Sequence, residues 1–129
     1  MTDTTTDTTT ATTAVVDAYI AMWNEEDPAR RAALIAAAWA PDAAYLDPML
    51  EARGHDGLGA MVAGVHAQFP GHRFRRLTAV DVHHDRVRFG WELAAPDGAV
   101  TVAGIDVGTL AADGRLQTIT GYFGELATA

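Results

Sequence analysis

"RVRFGWELAAPDGAVTVAGIDVGTL", residues 86–110, decides the fold. In its first part Val87, Phe89, Trp91 and Leu93 alternate with Arg88, Gly90 and Glu92. Alternation with a period of two belongs to a strand with one apolar face. "PDG" at 96–98 makes a hairpin turn, and a second strand follows as far as Leu110. A second turn, "ADG" at 112–114, leads into the closing strand "RLQTITGYFGEL". Upstream, a strand is expected from about Arg73 to His83, ending at "HHD". The C-terminal half is therefore a meander of four long strands.

The N-terminal half has another period. Val15, Tyr19 and Met22 form one stripe at helical spacing, and Val16, Ile20 and Trp23 form the next. Asp27 is a good N-cap, with Pro28 at the first position of a second helix that runs to about Ala40. "AAYLD" reads as a short strand and "PMLEARG" as a loop. A third helix is expected from about Gly57 to Phe69, with Leu58, Met61, Val62 and Val65 inward. Three helices beside an antiparallel sheet make an α+β domain, and a curved sheet can wrap the helices and leave a conical cavity. Residues 1–12, rich in Thr and Asp, are expected to be a disordered tail. Residues 13–129 are expected to form a single domain.

Composition removes several classes of function. The net charge is −8 and all nine basic residues are arginine. That balance disfavours nucleic acid, whose phosphates need a basic face. The chain contains neither cysteine nor serine, so thiolate and serine nucleophiles are absent. The five histidines lack metal-ligand spacing, and "GHDGLG" is not a phosphate-binding loop. No metal or cofactor is expected. No stretch approaches the roughly 18 apolar residues of a membrane span, and with no secretory leader a cytoplasmic protein is expected.

Carboxylates and a phenol remain. Asp106 sits in a strand whose two faces are both largely apolar, which implies burial on both sides. A buried acid is costly unless it is paired, hydrogen-bonded or neutral, and burial raises its pKa. Asp106 is thus a neutral acid, the partner of a distant arginine, or solvent-facing at a distorted edge. Tyr19, on an inner stripe, needs a partner for its hydroxyl. Asp47, before Pro48, is a turn residue or a placed carboxylate; a regular strand would put Tyr45 on its face. His66 falls on the Val62 side of the third helix and reaches either the cavity or the surface.

Together these segments resemble a known family. "VVDAYIAMWNEEDP", "AAYLDP", "VTVAGID" and "GRLQTITGYFGEL" are similar to bacterial ketosteroid isomerases. These belong to the nuclear-transport-factor-two-like superfamily, which also holds SnoaL-like polyketide cyclases, dehydratases and epoxide hydrolases. The resemblance covers roughly residues 14–126. It implies a cone-shaped, curved antiparallel sheet around three helices, usually in a homodimer. It assigns Asp47 as general base, and Tyr19 and a neutral Asp106 as oxyanion-hole donors. It also places Trp39 at a pocket aromatic. Val62 stands where those isomerases carry a supporting tyrosine, a departure that leaves steroid substrates open. Phe69, Phe89, Trp91 and Val102 are the candidate apolar wall. The expected function is proton transfer next to a carbonyl on a hydrophobic small molecule. A cyclase or dehydratase, and a non-catalytic ligand-binding or dimerisation module, are the alternatives.

Overall fold

The computed structural model describes residues 4–129. Three helices, α1 (Thr4–Asn24), α2 (Pro28–Ala38) and α3 (Gly54–Gln68), pack in the hollow of a curved, unclosed seven-stranded sheet. The strands are β1 (Trp39–Leu46), β2 (Glu51–Arg53), β3 (Arg73–Arg76), β4 (Asp81–His83), β5 (Arg86–Ala94), β6 (Val100–Leu110) and β7 (Leu116–Phe123). Their order is β2-β1-β7-β6-β5-β3, with β4 continuing along the same edge of β5 as β3. The α+β cone is as expected.

The local signals act as read. Asp27 Oδ2 accepts the Arg30 N–H at 2.9 Å, and Pro28 opens α2. Both hairpin turns place glycine at positive φ, Gly98 at 90° and Gly114 at 89°, where a side chain would be strained. Val16, Tyr19, Met22 and Trp23 of α1 bury against Leu58, Val62 and Val65 of α3 and the inward residues of β5 and β7.

Five expectations are corrected. The sheet is mixed, because β1 runs parallel to β7; hydrophobic alternation marks a strand without naming its partner some 70 residues away. The tail expected at residues 1–12 is helical from Thr4, and residues 1–3 lie outside the described residues. Extending a nucleated helix costs far less than starting one, and buried Thr12 continues the packed face of α1. Part of the expected loop at 48–54 is strand β2, paired to β1. The strand expected over 73–83 breaks between β3 and β4. There the Thr78 hydroxyl accepts the Gly90 N–H at 2.8 Å, so a side chain replaces the ladder partner. Finally, β6 is buried on one face only: Thr101, Ala103 and Ile105 are exposed, whereas Asp106 and Gly108 face the core.

Candidate active site

Strand register brings the two acids together. Asp106 pairs with Gly121 across β6 and β7. On the other side of β7, Leu46 pairs with Thr120, which puts Asp47 beside Gly121. The missing side chain at Gly121 leaves the space they share. A Cβ there would lie 2.9 Å from Asp106 Oδ1, 3.2 Å from Asp47 Cβ and 3.4 Å from Tyr45 Oη.

Asp106 is 3 % exposed. Tyr19 Oη donates to its Oδ2 at 2.6 Å, and Trp91 Nε1 donates to its Oδ1 at 3.0 Å. Among the described residues no arginine pairs with it. Burial pushes its pKa up to about 7 against the pull of the Tyr19 and Trp91 donors, and the nearby Asp47 charge adds to the rise. The Tyr19 phenol is also raised, first by burial and then by the Asp106 charge.

Asp47 serves the turn and the cleft at once. Its Oδ1 accepts the N–H groups of Met49 at 2.7 Å and Leu50 at 2.8 Å. Its Oδ2 accepts from the Tyr45 hydroxyl at 2.6 Å. Every partner is a donor, so the carboxylate is held as an acceptor. Tyr45 is raised above the usual phenol range, mainly by burial and then by the charge of Asp106.

The cleft over this pair has a volume of about 70 Å³. Trp23, Tyr45, Asp47, Phe74, Trp91 and Phe123 are among the residues that line it. Its aromatic wall is continuous: the Trp23 ring lies edge-on to Tyr45 at 5.4 Å and tilted against Phe74 at 5.0 Å, and Trp91 lies 5.7 Å from Phe74 and 5.8 Å from Phe123.

The expected residues divide accordingly. Asp47, Phe69, Trp91 and Val102 line the cleft. Trp39, Val62 and Phe89 are core residues and do not. Tyr19 and Asp106 touch each other just behind the cleft. His66 points away from it: Nε2 meets Trp23 O at 2.7 Å, and Nδ1 faces Arg31 Nη2 at 3.4 Å. That buried guanidinium also donates to Glu25 O and Glu26 O beyond the end of α1, which fixes His66 in a structural role. Sequence reasoning missed the polar role of Trp91, the part played by Gly121, and Trp23, Phe74 and Phe123 as wall. Alternation already put Trp91 inward, and an indole N–H facing inward needs an acceptor.

Comparison with known proteins agrees with this fold. A SnoaL-like domain model matches residues 16–119. A solved structure from Agrobacterium tumefaciens, described as a "putative isomerase" of the SnoaL-like family, is 36 % identical and superposes with a TM-score of 0.84, over 90 % of this chain and 99 % of that one. A structure described as a "putative polyketide cyclase" from Sinorhizobium meliloti is 16 % identical, with a TM-score of 0.66 over 84 % of this chain and 93 % of that one. An NTF2-like protein of unknown function from Exiguobacterium is 18 % identical, with a TM-score of 0.68 over 87 % of this chain and 99 % of that one. No curated protein matches the chain. With a family match across most of its length, and a structural relative at this identity, the chain belongs to the SnoaL-like family of the nuclear-transport-factor-two-like superfamily.

Proposed function

We propose that this protein is an acid/base enzyme that moves a proton at a carbon next to a carbonyl in a hydrophobic small molecule. Asp47 takes the proton. The oxygen that gains charge is received by a donor set around the second carboxyl, Asp106 with Tyr19. The chemistry is carried by side chains alone, without a cofactor or metal. General base catalysis is worth about 10²- to 10⁴-fold, and a well-placed donor in a dry pocket about 3 to 4 kcal/mol.

One observation supports this most: two carboxyl groups meet above Gly121 in different environments, one lining the cleft and one buried behind it. Such a difference separates a base from an acid. The isomerase description of the Agrobacterium relative agrees with it. The narrow cleft favours a compact ketone, or one end of a longer molecule, over a whole polycycle, since drug-sized ligands occupy roughly 300 to 1,000 Å³. The cyclase reading rests on relatives below 20 % identity.

A homodimer is part of the proposal. Ile105, 48 % exposed, pairs in register with Tyr122, 60 % exposed, on the outer face of β6 and β7. A second copy would cover this apolar pair.

The experiment is isomerisation of a panel of small β,γ-unsaturated ketones, with α-deuterium exchange followed by NMR. Wild-type protein is expected to turn over at least one, and Asp47→Asn to lose about 10²-fold or more. Unchanged turnover in Asp47→Asn removes Asp47 as the base.

A further inference from the structure

Tyr45 has no part in the scheme above, yet it lines the cleft while Tyr19 does not, and its hydroxyl lies beside the space above Gly121 that the two acids share. Tyr45 is 4 % exposed and donates to Asp47 Oδ2 at 2.6 Å. The other oxygen of Asp47 is occupied by the N–H groups of Met49 and Leu50. A proton arriving from substrate therefore lands on Oδ2, the oxygen that Tyr45 holds.

One contact between two oxygens has room for one hydrogen. Once Oδ2 is protonated its new hydrogen can rotate to donate to Tyr45 Oη, and in that arrangement the phenol hydrogen is released from Asp47 to another acceptor. The remaining direction of use is the cleft, where the substrate oxygen has just gained charge. The direct donor set of the scheme, Tyr19 and Asp106, bond to each other behind the cleft wall.

We propose that Tyr45 is a catalytic residue, a phenol that holds the base as an acceptor before proton transfer and donates to the enolate oxygen after it. The inference rests on the proton-transfer reading above. The substrate C–H bond breaks, its electron pair moves to the carbonyl oxygen, and an O–H bond forms on Asp47 Oδ2. The Tyr45 hydrogen stays on its own oxygen and changes acceptor, and the reverse steps return the proton to another carbon. Burial keeps the phenol protonated throughout, as a donor must be. The Tyr45 ring packs edge-on to Trp23 at 5.4 Å, which fixes where the hydroxyl points.

Two measurements test this. In Asp47→Asn, the N–H groups of Met49 and Leu50 hold the amide oxygen at the Oδ1 position, so the amide nitrogen faces Tyr45 as a protonated base would. Binding of 4-nitrophenolate, followed by its absorbance, is expected to be at least about ten-fold tighter in Asp47→Asn than in Asp47→Asn/Tyr45→Phe, as for one hydrogen bond to a charged group. Equal affinity in the two variants, or no binding in either, overturns the proposal. In the ketone assay, Tyr45→Phe in the otherwise native chain is expected to lower kcat by about ten-fold or more with KM nearly unchanged. A melting curve close to wild type is expected, because the ring is retained. If Asp47→Asn abolishes turnover and Tyr45→Phe keeps full kcat, the role of Tyr45 fails and the base assignment stands. If Asp47→Asn keeps turnover, the underlying reading fails.

Discussion

Asp47 and Asp106 stand on either side of Gly121, one at the end of β1 and the other in β6, with their side chains converging over the one residue between them that has none. Fifty-nine residues apart in sequence, they are separated in space by a single strand. Each is held differently: Asp47 by two backbone N–H groups and the Tyr45 phenol, Asp106 by the Tyr19 phenol and the Trp91 indole.

The buried acid makes stability depend on pH. Asp106 titrates near 7 in the folded chain and near 3.9 when unfolded. Between these values the native state holds a proton that the unfolded state has released, so stability falls as pH rises. The contribution is fully present below about pH 4 and is lost by about pH 7, with a slope approaching 1.4 kcal/mol per unit. In Asp106→Asn the amide oxygen can still accept from Trp91 and the amide nitrogen can donate to Tyr19. Urea denaturation from pH 4 to 8 is expected to show this decline in wild type and a flatter profile in the variant. Parallel profiles, or a carboxyl NMR titration of Asp106 near 4, contradict the neutral acid.

Gly121→Ala tests the shared space directly. Its Cβ would meet Asp106 Oδ1 at 2.9 Å and Asp47 Cβ at 3.2 Å, contacts that push both carboxyls off position. Turnover is expected to drop by about 10²-fold, the scale set by a misplacement of about 1 Å. Stability is expected to fall by about 1 to 3 kcal/mol, as for overpacking. Ketone turnover and urea denaturation measure the two effects.

Arg31 and His66 are expected to matter for folding alone. Arg31→Met leaves the carbonyls of Glu25 and Glu26 without their donor, at a cost of about 1 to 3 kcal/mol for buried polar groups left unpaired. His66→Gln is milder. Both are expected to keep kcat/KM within about two-fold of wild type while their denaturation midpoints shift, because neither side chain lines the Asp47 cleft. A large loss of turnover in His66→Gln would return this histidine to the site.

What could be read early follows one rule. Signals carried by a few neighbouring residues survived folding: the Asp27–Pro28 helix start, the two glycine turns, and the alternation that turned Phe89 and Trp91 inward. Tyr45 and Asp47 share a face, as a regular strand requires, and bond to each other. Asp106 was marked by its chemistry, because an acid among apolar residues must find partners or lose its charge.

The partners themselves lay beyond reach of the sequence. Trp91 read as wall, and its N–H proved to be a ligand of Asp106 because β5 and β6 pair Phe89 with Asp106 and so bring Trp91 near it. His66 read as reaching the cavity or the surface, and in the folded chain it meets Trp23 O and Arg31 instead. By itself the sequence determined the elements, their apolar faces and two candidate acids with one candidate phenol, Tyr19. The tertiary structure alone decided which acid meets the cleft, which is sealed behind it, and which phenol serves each. Local propensity acts over a turn or a strand, whereas the parallel pairing of β1 with β7 is set by packing across the whole sheet.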